Sequence, residues 1–522
     1  PDPANPDPDK FVENLFSCFT YTGTGSSQTI TNGIDLSNEG GLVWTKSRTS
    51  TFQHIFQDTV ATGVTKCLRS NSTNGFSDNN NGITSFNTNG YTLGDGSDFS
   101  ENSSSQNYVS WTFRKQPKFF DIVTYTGNGS SQNISHNLGS VPGCIIIKRT
   151  SSTEDWNFYH RGYTDGGNPT FGKLNLTDAF SANTSVFNNT FPTSSVFTVD
   201  SNNIVNTSGQ TYVAYLFAHN DSDGGFGSAG DQDVIKCGSY TGNGSTGNNV
   251  TLGFEPQWVL VKRADASEDW TIYDAQRGGM VTTDVDATYL EPHDSAAESS
   301  HPNRMVVTPT GFMLNINDGR TNASGGTYIY VAIRRGPMQT PTAATSVFDV
   351  QKYTGNATNS RKITTNFVVD ANITSGLTVD YRTCWGARLF DGIHETSQTY
   401  YGYQNSSGIE YVTYSFSRAP KFFDVVTYAG DGSSNRAVAH NLEVAPEFIV
   451  IKSIANADNW RVTTTDAFPD GYTFGSGQVQ TGVSAFSGAS TPNATNFYVS
   501  NDGEVNSSGR TYIAYLFATL AG

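Results

Sequence analysis

A glycine-rich turn is the first place where residue types and spacing could do chemistry. Residues 242–247 read Gly-Asn-Gly-Ser-Thr-Gly, which matches the dinucleotide-binding pattern GxGxxG. That pattern binds a pyrophosphate only where the turn opens a helix whose amides face the ligand. Equivalent places in the chain read Thr-Gly-Thr-Gly-Ser-Ser and Ala-Gly-Asp-Gly-Ser-Ser, next to predicted strands. The motif therefore predicts a hairpin turn and no bound cofactor.

Histidines are the second candidates, because a general base must titrate near neutral pH and needs a partner within hydrogen-bond reach. His136 and His440 both precede Asn-Leu, and no potential partner recurs beside them. We predict that both are structural and bridge turns. His293 and His301 stand eight residues apart in a polar loop, which argues against a metal site.

Acidic residues could cleave a glycan if two carboxyl groups faced each other about 5–9.5 Å apart. The pairs Glu154/Asp155 and Glu268/Asp269 are neighbours in a repeated turn, and the repeat explains them without chemistry. Acidic residues also flank the glycine-rich segment 220–233, and oxygen-rich loops suit Ca²⁺. No glutamate stands there at the EF-hand distance, so a solvated linker is favoured. We expect no catalytic residue, no metal and no cofactor.

Composition excludes several classes of protein. The 522 residues include 31 Lys and Arg against 47 Asp and Glu, so the net charge of −16 argues against nucleic-acid binding. The longest apolar runs, such as 144–147 and 258–261, are far shorter than a membrane span. Five cysteines without a CxxC pair predict neither a disulfide framework nor a zinc site. The proline-rich start has no basic or apolar segment typical of a signal peptide.

Three signatures recur along the chain and predict its fold. An opening signature centres on Tyr-Thr-Gly or Tyr-Ala-Gly, a central one is a β-rich run after proline, and a closing one alternates bulky with small or polar residues. Alternation of this kind is typical of strands, and no segment shows a helical period. We predict an all-β chain of five tandem antiparallel β-sandwich repeats. The key opening tyrosines are Tyr21, Tyr125, Tyr240, Tyr353 and Tyr428.

The signatures also predict the domain organisation. Tyr353 and Tyr428 are only 75 residues apart, so the fourth repeat is shortened. Rigid units on short joints predict a rod. The predicted segments are an N-terminal extended arm (1–14), repeat 1 (15–116), repeat 2 (117–220), an acidic glycine-rich linker (221–233), repeat 3 (234–336), a second linker (337–346), repeat 4 (347–419) and repeat 5 (420–522).

Together the signatures resemble the tandem, broadly concanavalin-like β-sandwich domains of structural and tail-fibre-like proteins from marine cyanophages and related phages. The resemblance covers residues 15–522, although segment 364–401 lacks a clear central signature. It implies a jelly-roll or concanavalin-like fold, a location on the virion surface, synthesis in the host cytoplasm, and a homotrimer. A neutral, Asn- and Ser-rich surface with unpaired cysteines agrees with that location.

These observations predict a non-enzymatic structural protein of a bacteriophage virion, in a tail fibre or surface appendage that could contact host glycans. One alternative is a capsid decoration or cement protein, and another is a carbohydrate-binding or glycan-degrading protein. We expect the arm to bind other virion proteins, because the large apolar side chains within 11–16 have no obvious place in repeat 1.

Tryptophans of the repeat, Trp156, Trp270 and Trp460, are predicted to be core anchors of their own repeats. Aromatic residues that do not recur are better candidates for a binding or interface surface, since sugars stack on exposed rings. The candidates are Trp385, Tyr400, Tyr401 and Tyr403, all in repeat 4.

Overall fold

Antiparallel strands make up most of the chain. The structure, a computed structural model, describes residues 7–278, 286–302, 304–357, 362–377, 383–387, 394–396, 399–401, 405–454, 458–465, 468, 471–474, 484–486 and 488–519. The predicted all-β fold is confirmed in these ranges. None of their helices has the length and apolar character needed to cross a membrane. The domain boundaries given above stay a prediction.

Repeats 1 to 3 consist of short strands joined by turns. Repeat 1 contains β1 (Phe16–Thr22), β2 (Gln28–Thr31), β3 (Gly41–Ser47), β4 (Ile55–Asp58), β5 (Lys66–Arg69), β6 (Ser77–Asp78), β7 (Ile83–Asn87), β8 (Gly90–Leu93) and β9 (Asn107–Arg114). Repeat 2 contains β10 (Phe120–Thr126), β11 (Gln132–Ser135), β12 (Pro142–Arg149), β13 (Asn157–Asp165), β14 (Asn168–Lys173), β15 (Ser181–Ala182), β16 (Val196–Val199) and β17 (Thr211–Ala218). Repeat 3 contains β18 (Ile235–Thr241), β19 (Asn248–Thr251), β20 (Pro256–Arg263), β21 (Trp270–Asp274), β22 (Asp286–Tyr289), β23 (Ser299–Pro302), β24 (Met305–Thr308), β25 (Gly311–Leu314) and β26 (Thr327–Arg334).

Repeats 4 and 5 continue the same pattern. Repeat 4 contains β27 (Phe348–Thr354), β28 (Lys362–Thr364), β29 (Ala371–Gly376), β30 (Thr383–Ala387), β31 (His394–Thr396), β32 (Thr399–Tyr401) and β33 (Glu410–Phe416). Repeat 5 contains β34 (Phe423–Ala429), β35 (Arg436–Ala439), β36 (Phe448–Ser453), β37 (Trp460–Thr464), β38 (Tyr472–Phe474), β39 (Asn496–Val499) and β40 (Thr511–Phe517). The helices are single turns: α1 (Thr184–Phe187), α2 (Asn203–Asn206), α3 (Gly503–Asn506) and the 3-10 segments Pro8–Lys10, Val12–Asn14, Ala344–Ser346 and Ser484–Phe486.

One large sheet in each repeat has the same core order: opening strand, closing strand, central strand and the strand that follows it. A smaller sheet packs on one face of it. The five large sheets are β1-β9-β3-β4-β5-β6, β10-β17-β12-β13-β14-β15, β18-β26-β20-β21, β27-β33-β29-β30 and β34-β40-β36-β37-β38, and the small ones include β2-β8-β7, β11-β16, β19-β25-β24, β28-β32-β31 and β35-β39.

A stacked tyrosine pair holds the opening strand to the closing strand. In repeat 2 the rings of Tyr125 and Tyr212 lie 5.0 Å apart at 9°. The Tyr125 hydroxyl donates to the carbonyl of Val205, and the next residue, Asn206, accepts at its side-chain oxygen from the amide of Asn128 in the glycine turn. The other stacked pairs are Tyr21–Tyr108, Tyr240–Tyr328, Tyr353–Tyr411 and Tyr428–Tyr512.

The same asparagine contact explains the GxGxxG match. Asn322 accepts from the amide of Asn243, so residues 242–247 form a turn between β18 and β19 and open no helix. The predicted turn is confirmed, but it joins strands of two different sheets and is therefore not a hairpin.

The closing strands of the first three repeats are buried on both faces, although their alternating sequence predicts one buried face. Six of the seven residues from Tyr108 to Arg114 in β9 are 1% exposed or less. One face packs on the small sheet of repeat 1, and the other meets neighbouring repeats. Contact between repeats, which no local pattern reports, accounts for the difference.

The N-terminal segment corrects the prediction of an extended arm. Residues 1–6 lie outside the described part, and 8–14 form two 3-10 turns. Phe11, Val12, Leu15 and Phe16 are at most 2% exposed, in one core with repeats 1 to 3. The Glu13 carboxylate accepts from the amides of residues 338 and 339, so this segment ties the start of the chain to the joint after repeat 3. The side chains that seemed to lack a place are part of the molecule's own core.

The segment between repeats 2 and 3 is a folded loop rather than a solvated linker. Phe226 is 3% exposed and pairs with Gln232 through a β-bridge. The Asp233 carboxylate accepts from the amides of Ser222 and Gly224, and the Asp223 carboxylate accepts from another backbone amide. These contacts give the acidic residues a structural role in the loop.

Candidate functional site

Repeats 1, 2 and 3 pack around a common aromatic centre. The Trp258 ring of repeat 3 lies 5.9 Å from Phe113 and 6.3 Å from Phe16, both in repeat 1. Phe113 also lies 5.4 Å from Phe217 of repeat 2. The first three repeats therefore close on themselves, and the prediction of a rod is wrong for this part of the chain. The burial of apolar outer faces of the large sheets, rather than the length of the joints, determines how the three repeats pack.

The ring of three repeats is also cyclic in its polar contacts. The strand that follows the central strand is β4 in repeat 1, β13 in repeat 2 and β21 in repeat 3. In each repeat, the residue at one equivalent position of this strand forms a hydrogen bond with the closing strand of the next repeat. All the residues involved are at most 6% exposed. The three contacts are Tyr215 Oη to Asp58 (2.9 Å), His160 Nε2 to the Tyr330 carbonyl (3.0 Å) and Trp111 Nε1 to Asp274 (3.1 Å).

A lysine and a tryptophan eight residues apart secure repeat 2 to repeat 1. The indole N–H of Trp156 donates to the carbonyls of Arg69 and Ser72 at 2.9 and 3.0 Å. The ammonium of Lys148 donates to the carbonyl of Thr73 at 2.8 Å. Both donors are buried, so the loop of repeat 1 is held by groups that have no access to water.

The junction between repeats 3 and 2 is equivalent. The Trp270 indole donates to the carbonyls of Lys173 and Leu176 at 3.0 and 3.1 Å, and the Lys262 ammonium donates to Thr177 at 3.1 Å. Trp156 and Trp270 are 0% exposed, which confirms that they are core residues. The core they anchor lies between two repeats, so the assignment to single repeats was wrong.

The third junction closes the ring with different residues. His54 occupies the position of the tryptophans, eight residues after a buried lysine. Arg48 forms an ion pair with Glu298 of repeat 3 at 2.8 Å. The Ser70 hydroxyl donates to the carbonyl of Pro292 at 2.7 Å.

Repeats 4 and 5 join this body through a buried cluster of charges. The Arg418 guanidinium donates to both oxygens of Glu255 at 2.9 and 2.8 Å and to Asp424 at 2.7 Å. Arg335 pairs with the same two carboxylates. Burial alone would raise the pKa of Asp424, but the guanidinium groups of Arg418 and Arg335 and the amide of Asn441 together hold that pKa below its ordinary value.

The aromatic candidates of repeat 4 divide into three cases. The Trp385 ring lies 5.5 Å from Trp460 and 5.1 Å from Tyr515, so it packs against repeat 5 of the same chain. The backbone of Tyr400 and Tyr401 belongs to β32, while their side chains and the whole of Tyr403 lie outside the described residues. The described residues therefore do not show these four aromatic side chains together in one site. Trp460 is only half-buried, unlike Trp156 and Trp270.

Three histidines use one ring nitrogen as an acceptor and the other as a donor to the backbone: His136, His160 and His440. His136 Nδ1 accepts from the amide of Leu138, and its Nε2 donates to the Thr193 carbonyl. His440 makes the same two contacts in repeat 5, which confirms the predicted turn-bridging role. Burial lowers the pKa of both, and burial lowers the pKa of His160 to about 3. Because backbone groups engage both ring nitrogens, these three histidines hold loops in place.

A pH dependence of stability follows from His160. Its Nδ1 accepts from the amide of Gly162, so protonation would break that bond inside the junction of repeats 2 and 3. The folded pKa lies below the unfolded value of about 6.5, so the unfolded chain binds more protons between about pH 3 and 6.5, and stability falls as the pH falls through that range. One such group contributes up to about 1.4 kcal/mol per pH unit.

We expect the melting temperature of the His160→Gln variant to fall less between pH 7 and pH 5 than that of the wild type. Glutamine keeps a donor for the Tyr330 carbonyl but cannot titrate. Differential scanning calorimetry at both pH values measures the difference. Parallel pH profiles would show that His160 does not contribute.

The nearest arrangement to a metal site, among the described residues, is a group on repeat 3. Asp269, Glu291 and His293 each place a ligand atom within 4.8 Å of the others. Arg320 already pairs with Asp269 at 2.6 Å and with Glu291 at 3.5 Å, and His293 Nε2 lies 3.2 Å from Asp269. Arg320 already supplies positive charge to both carboxylates, so ion pairs account for this cluster. The sequence analysis missed it because Asp269 lies on a different loop from Glu291 and His293.

A polar groove of about 640 Å³ separates the small sheets of repeats 3 and 5. Thr251, Thr308 and Asn496 line it together with an ion pair between Asp431 and Arg436. The aromatic residue in its lining, Tyr428, is 6% exposed and stacked on its partner. The groove offers hydrogen-bonding groups for a sugar but no exposed ring on which a sugar could stack.

Sequence comparison places the chain in a family. Residues 12–337 and 401–522 match the model of a domain of unknown function, DUF7483. The chain belongs to this family. No curated protein matches the sequence. Segment 338–400, which includes much of repeat 4, falls outside the match.

The turn-pinning asparagines were missed by the sequence analysis, although a simple signal marks them. Each stands six residues before the closing tyrosine of its repeat. They are Asn102, Asn206, Asn322, Asn405 and Asn506.

Proposed function

We propose that this protein is a non-enzymatic structural protein of a bacteriophage virion, a compact block in a tail fibre or other surface appendage. The observation that carries the proposal is the use of the buried polar groups. Lys148, Trp156 and Arg418 use their hydrogen-bond donors for contacts between repeats. His136 and His440 use theirs to bridge turns. Such a molecule is built to hold a shape.

Virion location rests on the resemblance of the signatures to phage structural proteins. The capsid-decoration alternative fits a closed body better than an elongated one, but the arm that would clamp it to a shell enters the core from residue 11 onward. The glycan-degrading alternative is not favoured, because the carboxylates of the repeated turn are engaged in ion pairs, Glu154 with Arg149 and Asp155 with Lys173.

Purified particles of a phage that encodes this chain provide the test. We expect quantitative mass spectrometry to find the chain in a fixed number of copies per particle, and antibody labelling to place it on a surface appendage. Incubation of the purified chain with host polysaccharide should release no reducing ends. Absence of the chain from the particles, or release of sugar, would contradict the proposal.

A further inference from the structure

Repeats 4 and 5 pack against each other as repeats 1 and 2 do. The rings of Phe113 and Phe120, which join repeats 1 and 2, lie 5.5 Å apart at 38°, and those of Phe416 and Phe423 lie 5.0 Å apart at 36°. Two further pairs agree: Phe113–Phe217 (5.4 Å, 85°) with Phe416–Phe517 (5.7 Å, 80°), and Phe120–Phe217 (4.9 Å, 51°) with Phe423–Phe517 (4.9 Å, 47°). The second pair of sandwiches thus repeats two-thirds of the ring.

In the first ring, repeat 3 covers the outer face of repeat 1. Cys18 and Trp111 are paired neighbours on that face, and they are 4% and 0% exposed. Asp274 accepts from the Trp111 indole, and the Arg277 guanidinium lies 5.6 Å from the same ring. A sandwich from the same chain therefore fills the third place.

The equivalent face of repeat 4 is only partly covered by the residues that the structure describes. Val350 pairs with Tyr414 in the register in which Cys18 pairs with Trp111, and Val350 is 48% exposed. Residues of β33 alternate between buried and half-buried, whereas the equivalent strand β9 is buried on both faces. In repeat 1, contact with a third sandwich buries both faces of the closing strand. In repeat 4, the exposure of the closing strand still alternates from residue to residue.

One position at the edge of this face has also changed from charged to apolar. Arg48 follows β3 and pairs with Glu298 of repeat 3 in the first ring. Its amide donates to the first residue of β9, and the amide of Leu377 donates to Glu410, the first residue of β33, so Leu377 holds the position of Arg48. Leu377 is 45% exposed.

We propose that this surface of repeat 4, formed by Phe348, Val350, Leu377 and Tyr414, binds the same surface of a second copy of this chain. The partner that covers the equivalent face in the first ring is a sandwich of the same family, so the face suits a sandwich sheet. An apolar patch whose rim carries one positive and one negative side chain is complementary to itself, as a twofold contact requires. A rim pair of opposite charges, Lys352 and Glu410, can exchange partners across the twofold axis. The proposal does not depend on virion location.

Sedimentation velocity on the full chain from about 0.1 to 50 μM tests the contact. We expect the wild type to pass from a 56.4 kDa species to a larger assembly as concentration rises. Val350→Asp and Leu377→Asp should each weaken the association at least tenfold, because two carboxylates would face each other across the contact. Val141→Asp is the matched control, since Val141 is equally exposed, at 45%, but lies in repeat 2.

Melting temperatures within a few degrees of the wild type show that the variants are folded. Association that both variants lose and the control keeps supports the proposal. A wild-type monomer at every concentration would overturn it, and so would an assembly that survives both substitutions.

Discussion

Replacing Trp270 by alanine is expected to destabilise repeats 2 and 3 together, by about 3–5 kcal/mol. The change removes a side chain that is 0% exposed and packs 4.6 Å from the Phe158 ring of repeat 2. It also leaves the carbonyls of Lys173 and Leu176 without their indole donor. Urea unfolding followed by tryptophan fluorescence measures the loss.

Hydrogen exchange identifies which repeats loosen. Amides of residues 173–177 and 270–274 should exchange faster in the variant, because both sides of the junction lose protection. Trp460→Ala is the matched control: this tryptophan has the equivalent position in repeat 5 but is only half-buried, so we expect a smaller loss. A Trp270→Ala effect confined to repeat 3 would contradict the shared core.

Replacing Arg418 by alanine is the second change with a large expected effect, about 3–5 kcal/mol. Arg418 is 1% exposed, and its removal leaves the buried carboxylates of Glu255 and Asp424 with Arg335 as their remaining arginine partner. The cost comes mainly from uncompensated charge, so adding Glu255→Gln to the variant should recover part of the stability. Thermal unfolding of the single and double variants measures both effects.

An exposed ion pair supplies the control for this prediction. Arg510 pairs with Asp458 at 3.0 Å on the surface of repeat 5, with 39% of the Arg510 side chain exposed. Arg510→Ala should cost at most about 1 kcal/mol. Equal losses for Arg418→Ala and Arg510→Ala would show that the cluster between repeats 3, 4 and 5 does not hold them together.

Local features of the fold could be predicted from the sequence because they repeat. Alternation in the closing signature gives strands, and the glycine-rich opening signature gives a turn whose identity the Asn322 contact confirms. The family match and the all-β structure agree with this level of description.

Contacts between repeats could not be predicted in the same way. Trp111 and Asp274 are distant in sequence, and nothing near either residue indicates that the indole donates to the carboxylate. The prediction of a rod was wrong because the sequence of a strand does not show what its apolar face contacts. The same apolar side chains can pack on a small sheet or on another repeat. Segment 11–16 was misassigned for the same reason, since its apolar side chains fill a core that three repeats share.

Small-angle X-ray scattering, extrapolated to zero concentration, tests most directly the claim that the repeats form one closed body. A compact chain of this length has a radius of gyration of about 24 Å, while five sandwiches in a row would give about 50 Å. We predict a value below about 28 Å with a single-peaked distance distribution. A value near 50 Å with a long tail would contradict the account.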